Sequence, residues 1–420
     1  MTSQSYSEGI LGDLRVLELA DEKGQWCGKL MADMGADVIK IEPPGGAPER
    51  RIGPFYQDQP HPERSLYFWH YNSSKRGITL DIEKDTGRDV LRSLVATADI
   101  VLETFPPGYL SSLGLGYEQL RSINPSIIMC SLTPFGQNGP WAQYQTADIL
   151  QMAAGGQMAM CGYDEEDVPD APPIAPGGGN AWHIGSHFAF IAIGAALYQR
   201  HMTGQGQHLD VSIHECCSLN TQQSISAYRA NGETLQRHTG GQASAGSRQT
   251  SQSMGKDGKF LNRQALGVRT PPDRLRALAE WMNTYGMADD LLEEKYLDPK
   301  VIADRSEHLN DVLQRCLAAV TAEEAYHGGQ KARYPWGEVR TVEEILTDPH
   351  WDDRGLWQEV EHPELGQRLK YPVAYALFSA TPISISRRAP LIGEHNEEIL
   401  CGELGMSRAE MSVLAEFGVV

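Results

Sequence analysis

Blocks of buried-strand and helix character alternate along the first third of the chain. LRVLELA at 14–20 has the make-up of a buried strand. A glycine-containing turn and a helical stretch from Gln25 to Met34 follow, and GADVIKIE at 35–42 reads as a second strand, stopped by PPGG at 43–46. Strand, helix and strand in so short a span make a βαβ unit, which predicts a parallel sheet covered by helices. The pattern repeats as GITLDI (77–82), a helix from Thr86 to Ala96 and ADIVLETF (98–105), with SIIMCSL (126–132) as a further strand. The glycines after the first strand lack the GxGxxG spacing, so a nicotinamide-dinucleotide site is disfavoured despite the Rossmann-like texture.

From Gln151 to Gly179 the chain turns rich in Gly, Pro and Met, which is loop material of the kind that holds ligands at strand ends. A long helix over about 181–201 comes next, then GQGQHLDVSI as a turn and strand. The helix-rich stretch 265–330, with DRLRALAEWM and LNDVLQRCLAAV, has the look of a second, smaller domain. PLIGEHNEEIL at 390–400 reads as a turn followed by a helix.

Charge narrows the function classes. With 36 basic against 55 acidic residues, formally -19, the surface disfavours nucleic acid and anionic membranes as partners, while leaving room for a local basic patch on one small polyanion. The apolar run Phe188 to Leu197 is too short to span a bilayer and reads as a buried helix. MTSQSYSEG lacks a basic region followed by an apolar core, so a cytoplasmic location is expected. Seven scattered cysteines show no metal-ligand spacing and suit a reducing compartment. Cys216 and Cys217 read as buried thiols, and no metal site is expected, because His183 and His187 have no third ligand in view.

Taken in order, several segments resemble the class III CoA-transferase (CaiB/BaiF) family. They are LRVLELA; KLMADMGADVIKIEPPGG with Arg50 or Arg51 after it; NSSKRGITLDI; ADIVLETFPPGYLSSLGLGYEQL; NPSIIMCSLTPFGQNGP; ADILQMAAGG; GAALYQRHMTGQGQHLDVSIHE; and APLIGEHNEEIL. The resemblance implies an α/β fold with a Rossmann-like large domain made from both ends of the chain and a smaller inserted domain. The expected division is 1–225 for the N-terminal part of the large domain, 226–335 for the small domain and linkers, and 336–420 for the return. It also implies an interlocked, ring-like dimer and a coenzyme A thioester as substrate, with no tightly bound cofactor.

A CoA site needs a few fixed cations, backbone N–H groups and an apolar slot. Lys75 and Arg76, two adjacent cations before a strand, are candidates for the nucleotide end, and Lys40 and Arg51 stand behind them. Each has a plainer reading, as part of a solvated turn or a strand end. Where the family usually reads Asn-Phe-Arg-Pro-Gly, this chain has Thr104-Phe105-Pro106-Pro107-Gly108. Phe105 is left to stack on adenine or to sit in the core, and Pro106 offers neither charge nor N–H donor.

The family's chemistry implies an aspartate nucleophile that takes the acyl group from the donor thioester. In the matching region, Pro176 to His187, two alignments of the helix place that position at Trp182 or Ala181, and neither is an acid. Asp164, Glu165, Glu166, Asp167 and Asp170 upstream look solvated. Three expectations follow. The chain is the aspartate-lacking subunit of a benzylsuccinate-type CoA-transferase, paired with a sister chain in a heteromer, or otherwise a homodimer. Alternatively it is a self-sufficient transferase using Asp148 or Glu215, although Asp148 also suits a loop-capping role. The third is a racemase or isomerase in which His183 or His187 works with a carboxylate, against a plainer reading as packed histidines. A non-catalytic CoA-binding scaffold is the alternative outside enzymology. Met158, Met160, Trp182 and Phe188 line an acyl pocket or belong to the core.

Overall fold

In the computed structural model, which describes residues 9–245, 251–373 and 375–420, the apolar runs at the start of the chain become strands of one sheet. The elements run β1 (Arg15–Leu19), α1 (Gln25–Asp33), β2 (Asp37–Glu42), α2 (Leu66–Asn72), β3 (Arg76–Thr79), α3 (Asp85–Val95) and β4 (Ile100–Glu103). Two short helices, α4 (Tyr109–Ser112) and α5 (Tyr117–Ile123), precede β5 (Ile128–Thr133). Then come α6 (Asp148–Ala154), α7 (Asn180–Thr203), β6 (His208–Ser212) and α8 (Ile213–Leu219). The six strands lie in the order β3-β2-β1-β4-β5-β6, every pairing parallel. Helices cover both faces of such a sheet, so its inner strands are buried; all four residues of β4 and all six of β5 are buried.

The chain divides into two units. The first takes the chain up to 157, then 176–221 and 349–420. The second takes 158–175 and 222–348. It is built from α9 (Gln222–Asn231), the hairpin β7 (Gln236–His238) and β8 (Gly241–Ser244), and the strands β9 (Gln252–Met254) and β10 (Phe260–Asn262). Four helices follow, α10 (Pro272–Asn283), α11 (Pro299–Asp304), α12 (Ser306–Ala319) and α13 (Ala322–Lys331), then β11 (Gly337–Glu338). Leu275, Leu278, Leu309, Leu313 and Trp336 are part of its own core. The return to the first unit comes at 349 rather than 336, because β11 pairs with β10 of the second unit.

The segment 158–175 is also a difference from the sequence reading, which left it in the large domain. Asp164 is not solvated: its carboxylate accepts the Thr239 N–H at 3.0 Å and its own N–H donates to the Thr239 hydroxyl at 2.9 Å. Arg237 adds a bond to the Ala171 carbonyl at 2.8 Å.

In the first unit the hairpin β12 (Trp357–His362) and β13 (Gln367–Pro372) follows, and the segment 387–419 closes the β3 edge. Ser74 N–H donates to the Arg387 carbonyl at 2.9 Å and Asp81 N–H to that of Val419 at 2.7 Å. Helix α7 is long and apolar enough to cross a membrane by length and composition alone. Ala181, Trp182, Gly185, Ala189, Ile193 and Ala196 bury one face of it, while Ile191, Tyr198 and Met202 leave another exposed, so only part of it is the buried helix its apolar run predicts.

Candidate functional site

Strand order reverses between β1 and β4, and open α/β sheets bind ligands at the carboxyl ends of the strands beside such a reversal. Two cavities meet there. One, of about 300 Å³, is lined by Asp21, Lys23, Thr104, Phe105, Pro106 and Gln143 among others. The second, of about 460 Å³, has Pro43, Leu80, Asp81 and Tyr109 in its wall. Leu19 and Phe105 line both, so Phe105 sits at their junction.

The exits of β1 and β4 are tied across the reversal. Asp21 N–H donates to the Thr104 hydroxyl at 2.9 Å, and that hydroxyl donates to Asp21 Oδ1 at 2.8 Å. Lys23 pairs with the other oxygen of Asp21. Below them, Glu103 Oε2 accepts the Phe105 N–H at 2.7 Å and so fixes the turn that carries the aromatic ring. Burial pushes the Glu103 carboxyl up to about 7, against hydrogen bonds from the Ser131 hydroxyl and the Phe105 N–H.

Four cations were expected at this site, and the structure commits three of them elsewhere. Lys75 is 0 % exposed, with its ammonium 2.7 Å from Glu18 Oε2 and hydrogen-bonded to the Gln25 carbonyl and Asn72 Oδ1 at 3.0 Å each. Burial pushes it down to about 8. Lys40 is buried too, 3.3 Å from Glu18 Oε1. One interior carboxylate between two interior ammoniums is a structural ion cluster, which corrects the phosphate-gripping role for both. Arg76 opens β3, at the opposite end of the sheet from the cleft, and is held by Asp37, Glu398 and Glu403. Arg51 is exposed, and no ion pair engages it among the described residues. Lys23 was not singled out from the sequence. Its signal is position, four residues past β1 in the first strand-to-helix turn, where this fold class meets ligand phosphates.

The second focus is the start of α7. The Ala181 N–H donates to Asp148 Oδ1 at 2.7 Å, so the half-buried Asp148, at the first position of α6, bonds the opening turn of α7. That is the capping role, favoured by the helix dipole. Ala181 and Trp182 are both buried. One turn on, the Trp26 ring stacks on His183 with centroids 4.9 Å apart and donates its indole N–H to His187 Nε2 at 3.0 Å. His183 Nε2 meets the Tyr71 hydroxyl at 2.7 Å. Burial lowers the pKa of both histidines, and lowers that of neighbouring His70 to about 4. Burial also raises Glu22, with Asp21 adding to it. Imidazoles whose protonation burial disfavours, one of them on a phenol, suit proton exchange more than anion capture.

Glu215 lies exposed in the first turn of α8. Met158 and Met160 belong to the second unit, and Trp182 and Phe188 to the first. Among the described residues no group of three or more His, Cys, Asp or Glu side chains is placed to hold a metal ion.

The model of CoA-transferase family III matches residues 11–396. The chain belongs to that family. It is 31% identical over 410 residues, 97% of each chain, to a subunit of succinyl-CoA:(R)-benzylsuccinate CoA-transferase from Thauera aromatica. A succinyl-CoA–D-citramalate CoA-transferase from Chloroflexus aurantiacus is 31% identical over 406 residues, 96% of each chain. A CaiB/BaiF family protein from Brucella suis has a solved structure that superposes with a TM-score of 0.76 at 28% identity, covering 94% of this chain and 99% of its own. A family III chain of this kind moves CoA between carboxylic acids, and its parallel core sheet is the Rossmann-like sheet of the family.

Proposed function

We propose that the chain is a CoA-transferase subunit that moves CoA from succinyl-CoA to a substituted succinate such as benzylsuccinate. In this reading it works beside a sister subunit of the same fold that carries the nucleophilic aspartate. The reading that carries the proposal is the sequence match at the opening turn of α7, which puts Ala181 or Trp182, depending on the frame, where the family's pattern has its aspartate. Acyl transfer through an anhydride needs a carboxylate that attacks the thioester carbon and releases CoA as thiolate. Neither side chain supplies one. Similarity to a benzylsuccinate CoA-transferase subunit supports the choice of acids.

CoA enters as a thioester substrate, with no tightly bound cofactor. Lys23, in the wall of the cavity that Phe105 also lines, supplies the cation that stands in for the missing arginine, and Phe105 offers a ring to the adenine. The assembly is an interlocked heteromer of the two related chains, or otherwise a homodimer. It is cytoplasmic, with neither nucleic acid nor membrane as partner.

The test is CoA transfer by the purified chain alone and co-expressed with a related chain, with succinyl-CoA as donor and a panel of aromatic and branched succinates as acceptors. Transfer only by the mixture is expected. Transfer by the chain alone sinks the proposal and favours a second reading, in which Asp148 is the nucleophile. One observation speaks for that reading: Asp148 brings a carboxylate to the start of α7, with one oxygen on the Ala181 N–H. Asp148→Asn then abolishes the activity of the isolated chain.

A further inference from the structure

The second unit contains a cavity of about 660 Å³, unconnected with the arguments above. Its wall runs from β8 and Ser251 through 262–269 to Ser306 and Pro335. Amides, hydroxyls and a few apolar side chains line it, together with Arg263 and Arg269. Among the described residues no Asp or Glu lines it, in a chain where acidic residues outnumber basic ones 55 to 36.

Arg263, directly after β10, is 6% exposed. Its Nε donates to the Ser253 hydroxyl at 2.8 Å, and Nη1 reaches Asn310 Oδ1 at 3.3 Å and the Gln264 carbonyl at 3.5 Å. These partners are themselves held. Ser253 donates to Gln314 Oε1 at 2.7 Å, and the Asn310 amide donates to the carbonyls of Leu266 and Ser306 at 2.8 and 2.7 Å. All of them are neutral. Among the described residues no carboxylate pairs with the guanidinium, and its pKa is lowered by burial alone.

Other buried cations of this chain are paired. Lys29 has Asp33, Lys40 and Lys75 share Glu18, and Arg50 has Glu42. An interior charge without a counter-ion is costly. A guanidinium is also a rigid planar fork matched to an oxyanion. Here it is held in place by neutral groups and lines a cavity, while no anion among the described residues completes the pair.

We propose that this cavity binds the carboxylate of a small organic acid, with Arg263 as its buried anchor and Arg269 as a second, exposed cation. The choice of acid rests on the transfer reaction proposed above, whereas the anion site does not.

The test is calorimetric titration of the full-length protein with succinate, glutarate and benzylsuccinate, and separately with CoA and inorganic phosphate. Arg263→Gln keeps neutral hydrogen bonds to Ser253 and Asn310 available, so the fold is expected to survive, checked by its melting curve. Its Kd for the acids should rise about 10- to 100-fold, the scale of a lost charge-assisted pair, with CoA affinity unchanged. Arg263→Lys should fall between the two, and Arg269→Gln, which carries the test if Arg263→Gln does not fold, should weaken the acids several-fold. Acid binding that ignores both arginines, or no binding of any of the three acids, overturns the proposal. Loss of CoA or phosphate affinity with acid binding intact overturns it as well, since the anion would then be a phosphate. A transfer assay on the same samples separates the two ideas. Acid binding that depends on Arg263 in a protein without transfer activity leaves this site standing and removes the reaction.

Discussion

Ala181 has no exposed surface, and its N–H already serves one carboxylate, Asp148, at 2.7 Å. An aspartate placed there in Ala181→Asp would face that carboxylate and lack room, so the single variant should lose about 1–3 kcal/mol of stability. Combined with Asp148→Asn, which removes the repulsion, it should confer CoA transfer on the isolated chain where the unaltered chain has none; a coupled assay for free acid and new thioester reads this. Glu103 makes a prediction of a different kind. Its folded carboxyl titrates at about 7 against 4.5 for an ordinary glutamate, because burial disfavours the charge. The folded state therefore holds the extra proton between about pH 4.5 and 7, and the group costs stability progressively as pH rises through that window. The full cost is about 3 kcal/mol. Glu103→Gln should match the unaltered protein near pH 4.5 and exceed it by roughly that amount at pH 8, in urea melts at the two pH values. Equal differences at both would mean that Glu103 is ionised throughout.

At the scale of elements, most of the parallel strands were legible because they are largely buried and carry short apolar runs between turn signals. GADVIKIE at 35–42 became β2 at Asp37–Glu42, and SIIMCSL at 126–132 became β5 at Ile128–Thr133. The role of Lys75 was not legible. Its neighbours along the chain are small and polar, as in a solvated turn, and only the pairing of β1, β2 and β3 brings Glu18 to it. The start of α7 shows the opposite case. The missing acid is visible in the sequence, but the bond from Ala181 to Asp148 joins residues 33 apart and needs the fold. Helix α1 lies so close over Glu18 that a Cβ on Gly28 would come within 1.5 Å of Glu18 Oε2. Gly28→Ala should therefore push the carboxylate off its two lysines and cost roughly 3 kcal/mol or more, read as a lower urea midpoint at unchanged slope.

For the whole molecule, each unit carries a core of its own, and among the described residues the cluster of the second runs from Leu261 to Trp336. A fragment spanning 222–348 should thus fold to a helical, cooperatively melting domain by circular dichroism. Its β7–β8 hairpin should lose amide protection in hydrogen exchange, because the Asp164 clamp on Thr239 lies outside the fragment. A fragment without a melting transition would show that the segment 158–175 is needed for the core as well. The first unit cannot be cut out so simply, since it is assembled from three stretches of chain. Its β3 edge is finished by partners such as His395, whose ring accepts the Gly77 N–H across a separation of 318 residues. During synthesis β3 leaves the ribosome long before those partners exist. For all of that time the growing chain carries an open strand edge able to pair with any neighbouring nascent chain, so the cell must shield it until translation reaches the segment that closes it.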